Sequence, residues 1–237
     1  MEVKIEWEVV SAICIGSTAD VQGIGVDKAT ARSVDGTLII PGSTLKGRIR
    51  WECERIARGL GWEVCNAPQP GTICPYFWLD HGEQREDHFC VLCEMFGSAG
   101  KRSALWFGDA TPKADEEMRK ILQGKKSVTE HRPFDAQIRP GVSLSRSRRT
   151  VVSERLFFTE TSAPNAHFHF EAVIEGALPS DRHRALLLAG IRFLSHVGSG
   201  RSRGLGWIRL LRCELDGHEL TEDHWQALLQ PLEEMVS

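Results

Sequence analysis

Hydrophobic and polar positions fall into short runs whose period changes along the chain. Residues 3–15 (VKIEWEVVSAICI) alternate at first and then become continuously apolar, which predicts a strand inside a sheet. Residues 16–33 are poor in bulky apolar side chains and rich in Gly, Ala, Ser, Thr and Asp, and predict a surface loop. Asp35-Gly36 is a turn signal ahead of a short apolar strand, Leu38-Ile39-Ile40. Over residues 44–59, Leu45, Ile49, Cys53, Ile56 and Leu60 recur at helical spacing and predict one buried helix face. Ser43 or Thr44 is the expected N-cap, and Gly59 and Gly61 the stop.

Further on, residues 104–108 predict a buried strand ending at Asp109, residues 112–126 a short charged helix, and residues 156–160 and 166–174 two strands. In the last of these Phe168, Phe170, Ala172 and Ile174 share one face, leaving His167 and His169 as exposed sheet histidines. A helix capped by Ser180 or Asp181 follows, then a strand over 205–211 and a closing amphipathic helix over 221–236. This order predicts an α+β fold with a ferredoxin-like β-α-β-β-α-β core, the layout of an RNA-recognition motif as well. Residues 3–15 lack the aromatic set with which that motif reads bases, so binding would fall to loops and to an arm.

Two stretches break the pattern. Residues 62–100 carry several prolines and glycines and four of the seven cysteines, Cys65, Cys74, Cys90 and Cys93. An irregular segment of that length needs a staple. Cys90-Val91-Leu92-Cys93 is a CxxC knuckle, and four thiolates would make a closed structural zinc site. His81 or His88 could replace one thiolate, and four plain buried or free thiols are the alternative. Residues 128–156 are poor in apolar side chains and rich in arginine, with Arg139, Arg146, Arg148, Arg149 and Arg155. They predict either a solvated loop or an extended hairpin arm that tracks a phosphate backbone. Both stretches are read as insertions in one domain spanning residues 1–237.

Composition changes this picture little. A formal charge of -3 gives no global reason to expect nucleic acid, so any such reading rests on local patches. The N-terminus lacks a signal-peptide pattern and no apolar run reaches bilayer length, giving the expectation of a cytoplasmic protein with no membrane contact.

The candidate chemistry gathers in residues 23–50. Asp27 lies in a glycine-flanked loop, and Gly42, Ser43, Thr44, Lys46 and Arg50 open the first helix. Cations in a first turn oppose the helix dipole, and a bound phosphate would offset that mismatch. The run 42–48 is not a Walker A loop, because Arg48-Ile49 stands where Lys-Ser/Thr is required. A second anion-binding candidate is the loop Gly198, Ser199, Gly200, Arg201, Ser202, Arg203, Gly204, placed between a helix and a strand.

The Ile24-Gly25-Val26-Asp27 segment, the Ile40-Pro41-Gly42-Ser43-Thr44-Leu45-Lys46-Gly47 run, the Phe96-Gly97 and Gly108-Asp109-Ala110 landmarks and the glycine loop 198–206 together resemble the RAMP superfamily. The pattern is most similar to the backbone subunit of type III CRISPR effector complexes. The resemblance implies a subunit that stacks with further copies of itself along a CRISPR guide RNA, beside other effector subunits. It implies a guide-backbone grip at Ser43, Thr44, Lys46, Arg50, Ser199, Arg201 and Arg203, and a hairpin thumb at the arginine-rich arm. It further implies that Asp27, with a loosely held Mg²⁺ or other divalent ion, cuts target RNA at regular intervals. A binding-only scaffold subunit and a repeat-RNA processing endoribonuclease are the alternatives.

Overall fold

The computed structural model describes residues 1–16, 26–34, 37–67, 69–76, 89–113, 137–162 and 168–233. The expected charged helix over 112–126 and residues His81, His88 and His167 lie largely or wholly outside them.

The fold is mixed α+β. Strand β1 (Glu2–Val9) is central, with β6 (His169–Gly176) on one side and β7 (Ile208–Leu215) on the other. β2 (Leu105–Phe107) and β3 (Thr111–Lys113) pair with the outer edge of β6, and β8 (His218–Glu219) closes the far edge on β7. Every pairing is antiparallel. The register sets Ile5 opposite Ala172 and Trp7 opposite Phe170, so alternate residues of both strands face one side together. That side is covered by α1 (Gly42–Gly59) and α3 (Asp181–Phe193). Val3, Ile5, Trp7, Phe170 and Ile174 meet Leu45, Ile49, Leu186 and Ile191 in a single core. The two helices approach closely enough for the Cys53 thiol to donate to Leu186 O at 3.3 Å. Short helix α2 (Val91–Phe96) follows the cysteine-rich segment, and α4 (Glu222–Glu233) packs beside α3. Among the described residues no helix is long and apolar enough to cross a membrane.

Three local expectations change. β1 ends at Val9, yet Ala12, Ile13, Cys14 and Ile15 stay buried. The apolar run leaves the sheet and continues as an irregular buried segment, whose backbone groups pair with Trp207, Ser162 and the glycine loop. Residues 38–40 make isolated bridges from Leu38 to Arg32 and from Ile40 to Ala110, because each neighbour meets them at one residue only. The first helix starts two residues earlier than expected. Pro41 is its N-cap and neither Ser43 nor Thr44 caps it. The carboxylate of Asp109, at the end of the segment that follows β2, instead accepts from Gly42 N at 2.7 Å. A proline already in the right φ range begins the helix, and the tertiary fold supplies the acceptor.

β4 (Gln137–Ser145) and β5 (Thr150–Thr161) form a separate two-stranded sheet, a long hairpin standing apart from the main one. Its tip carries Arg146, Arg148 and Arg149, all exposed. Ile138, Val142, Leu144, Val151 and Leu156 are exposed along it.

Asp109→Ala should leave a first-turn N–H of α1 without its acceptor and cost about 1 kcal/mol in a denaturant titration, whereas Asp109→Asn, which keeps an acceptor, should lose less.

Candidate nucleic-acid interface and metal centre

Cys65 lies shortly after α1, Cys74 follows the Pro70–Thr72 turn, Cys90 is the N-cap of α2 and Cys93 lies in that helix. The segment folds back so that all four are buried, with their Sγ atoms within 4.8 Å of one another. Cys65 Sγ lies 3.4 Å from Cys93 Sγ and 3.6 Å from Cys90 Sγ. A zinc–sulfur bond of about 2.3 Å implies a tetrahedral edge of about 3.8 Å, so small shifts would accommodate an ion. Burial pushes the Cys74 thiol up to about 12, while contact with the Cys65 and Cys93 thiols holds Cys90 well below the usual thiol range. Four buried thiolates need a cation to coexist, and the group can hold a metal such as zinc. Its surroundings are also arranged. Arg50 Nη2 donates to Cys93 Sγ at 3.6 Å while its Nη1 donates to Gly97 O at 2.8 Å, and Arg58 donates to Cys65 O at 3.2 Å. Arg50, expected as an RNA contact, is therefore also a tie between α1 and the cysteine centre.

Asp27 sits where the loop from β1 docks on the hairpin. Its N–H donates to Phe158 O at 3.0 Å, and its Oδ2 accepts from Phe158 N at 2.6 Å. Lys28 continues the docking by bridging to Thr159, and Thr30 N donates to the Glu160 carboxylate at 2.7 Å. The expected surface loop is thus, over residues 27–32, a pinned flank of β5. Asp27 is exposed, and its second oxygen has no hydrogen bond among the described residues. Among the described residues it belongs to no cluster of three or more potential metal ligands; the cysteine centre is the one such cluster.

The glycine loop lies against the irregular segment after β1. Ser199 N donates to Cys14 O at 2.8 Å and Gly206 N to Ala12 O at 2.9 Å. Gly198 (φ 78°) and Gly206 (φ 83°) are in the left-handed region. A Cβ on either would fall within 2.4 Å of a backbone oxygen. The glycine richness that suggested phosphate binding is therefore, at these two positions, a demand of the fold itself. Anion binding falls to what the loop presents. Arg201 and Arg203 are exposed, and the Arg203 guanidinium lies 5.1 Å over the Phe157 ring of the hairpin.

Loop and hairpin base together enclose a cleft of about 360 Å³, lined by Lys28, Arg139, Phe157, Thr159, Thr161, Ser199, Gly200, Ser202 and Arg203 among others. Residues far apart in sequence thus converge on one concavity. The Thr161 hydroxyl is fully buried and has no hydrogen-bond partner among the described residues, an uncompensated polar atom in the wall of a cleft that three cations also line. The hairpin-tip arginines Arg146, Arg148 and Arg149 do not reach this cleft.

A second cleft, of about 680 Å³, runs between α1 and residues 96–103. Lys46, Arg50, Trp51, Lys101 and Arg102 line it, with Glu54 as its one acid. Burial, and then the Arg50 charge, hold the Lys46 amine below its ordinary value. Gly42 is buried, Thr44 is half-buried and Ser43 is exposed, and none of the three lines either cleft. Around the helix, Arg48, Arg55 and Arg201 surround the Trp51 ring at 4.9, 4.9 and 5.6 Å. Burial, followed by the Arg201 and Arg48 charges, keeps the neighbouring His196 below the usual histidine range, so it is neutral at pH 7.

The open face of the sheet behaves differently. Glu6 pairs with Lys113 at 2.8 Å and with His169 at 2.9 Å, Lys113 with Glu171 at 2.9 Å, and Arg212 with both Glu214 and Glu219 at 3.0 Å. Its cations are neutralised in place. By contrast Lys28, Lys46, Arg139, Arg201 and Arg203 have no ion-pair partner among the described residues. The unpaired positive charge therefore gathers in the hairpin-base cleft and the α1 cleft, which Arg201 over Trp51 links.

A family model described as the RAMP superfamily matches residues 6–209. The chain belongs to the RAMP superfamily. No curated protein shows significant similarity to it. RAMP proteins bind RNA and work in multi-subunit CRISPR complexes, which makes this chain's cationic face a candidate RNA interface. The match covers most of β1, strands β2 to β6, both core helices, the cysteine centre, the hairpin and the glycine loop, and ends as β7 begins.

Three residues of this RAMP chain's cationic face carry no functional expectation from the sequence: Lys28, Trp51 and Arg55. Lys28 adjoins Asp27 in sequence, and that it lacks an ion-pair partner among the described residues follows from the fold. The Arg48-x-x-Trp51-x-x-x-Arg55 spacing was legible as one helical surface.

Metal analysis of purified protein should return one ion per chain at the cysteine centre. Chelation, or Cys93→Ser, should lower the thermal midpoint by several degrees, as loss of a structural metal does.

Proposed function

We propose that this chain is a guide-RNA-binding backbone subunit of a type III CRISPR effector complex. The observation that carries the proposal is the gathering of unpartnered cations on one face, spanning the hairpin base, the glycine loop and the first turns of α1. The sheet order β2-β6-β1-β7 supports a ferredoxin-like reading of the core, within one domain carrying insertions at 62–100 and 128–156. The guide backbone runs along Lys46, Arg201, Arg203 and Arg139, with Ser199, Gly200 and Ser202 offering further polar contacts. Contacts of this kind hold a strand by charge, independent of base identity.

The hairpin acts as a thumb. Leu144 and Val151 face each other across it near the tip, exposed and next to the arginines. An apolar wedge flanked by cations suits insertion between stacked bases of the guide–target duplex. Asp27, pinned at the thumb's base with one oxygen uncommitted, cleaves the target strand there. It acts as base toward a ribose 2′-OH or as one ligand of a Mg²⁺ held mainly by RNA phosphates. The cysteine centre holds structural zinc and fixes the segment that walls the α1 cleft. Further copies of the chain, stacked along the guide, repeat the arrangement at regular intervals.

Guide binding should weaken as salt rises. Arg203→Ala and Lys28→Ala should each lower affinity about 3–10-fold for any sequence and reduce the salt slope by about one. In the assembled complex, Asp27→Asn should abolish target cleavage while guide binding stays within about two-fold. Cleavage that survives Asp27→Asn would leave a binding-only scaffold.

A further inference from the structure

We propose that Trp51 is a stacking platform for one unpaired nucleobase of the bound RNA, a role that rests on the RNA reading above and adds to it a contact with a base. Trp51 is 38% exposed on the face of α1 that carries Lys46 and Arg50. Its surroundings are built with unusual care for a surface indole. Arg55 is fixed by a 2.6 Å ion pair to buried Glu52, and Arg48 by a 3.2 Å bond from its Nε to His196 O. Both therefore stay over the ring, 4.9 Å from its centre. Arg201 lies 5.6 Å from the same ring and has no ion-pair partner among the described residues.

A second observation concerns Gly47, one turn before Trp51. Glycine inside a helix is less favourable than alanine. Here no packing explains it, because a Cβ at Gly47 would meet no atom within 4 Å. The glycine leaves open space on the cleft side of the helix, between Lys46 and Trp51. An aromatic ring beside a cationic groove, with cleared space, is the arrangement by which proteins hold single-stranded RNA without reading its sequence. The base takes the place of Arg201 over the indole, Arg201 turns to the adjoining phosphate, and Lys46 takes the next one.

The test compares a short single-stranded oligoribonucleotide with inorganic polyphosphate, a polyanion without bases, on the full chain. Trp51→Ala should weaken the oligoribonucleotide about ten-fold and leave polyphosphate within about two-fold, while Trp51→Phe keeps most of the affinity. Gly47→Leu should produce the same selective loss with no fall in thermal midpoint. Equal loss on both polymers would overturn the proposal, because the indole would then only position its arginines. No loss on either would overturn it as well. If the wild-type chain binds polyphosphate and not the oligoribonucleotide, the RNA reading itself fails, and this one with it.

Discussion

Everything on the cationic face depends on how the short apolar segment after β1 satisfies its backbone. Once β1 ends at Val9, residues Ala12 to Ile15 remain buried without a ladder strand on either side. Leaving their polar groups unpaired would cost about 1–3 kcal/mol each. Ile15 O accepts from Ala31 N, and the rest pair with two distant elements. Cys14 O accepts from Ser199 N and Ala12 O from Gly206 N, while Ile13 O accepts from Ser162 N and Ile13 N donates to Ser162 Oγ at 3.0 Å. The same few residues thus seat the glycine loop and the hairpin base against each other. Lys28, Arg139 and Arg203 share a cleft because this junction brings their elements together.

The second constraint is where charge is neutralised. Overall charge is slightly negative, and the sheet's open face binds its cations to neighbouring carboxylates. At the start of α1 and in the glycine loop, Lys46, Arg201 and Arg203 crowd other cations without such a partner among the described residues, and burial, followed by that neighbouring charge, lowers the proton affinity of Lys46 and His196. A polyanion would relieve that crowding, which is the physical content of calling this face a candidate RNA interface. The cysteine centre joins the same system through Arg50, whose guanidinium reaches both Cys93 and the α1 cleft.

Much of the fold was legible because it follows periodicity. The alternation of β1 and β6, the helical stripe of α1 and the CxxC knuckle all appear where the side-chain pattern places them. What was not legible depends on contacts remote in sequence. The α1 cap comes from Asp109, so the local Ser-Thr signal misled. The loop carrying Asp27 is pinned only because β5 passes beside it. The glycine loop suggests phosphate chemistry, yet Gly198 answers to the remote Cys14 O and Gly206 to Val197 O at the near end of the same loop. Sequence reading could name the cations; which of them lack partners required the fold.

The central claim is that RNA lies on the face shared by α1, the glycine loop and the hairpin base. Hydrogen–deuterium exchange on the full chain, with and without a single-stranded oligoribonucleotide, tests it most directly. Protection should appear in residues 46–51, 137–142 and 198–205, with the open-face strands β1, β6 and β7 unchanged. Protection confined to those strands, or none anywhere, would contradict it.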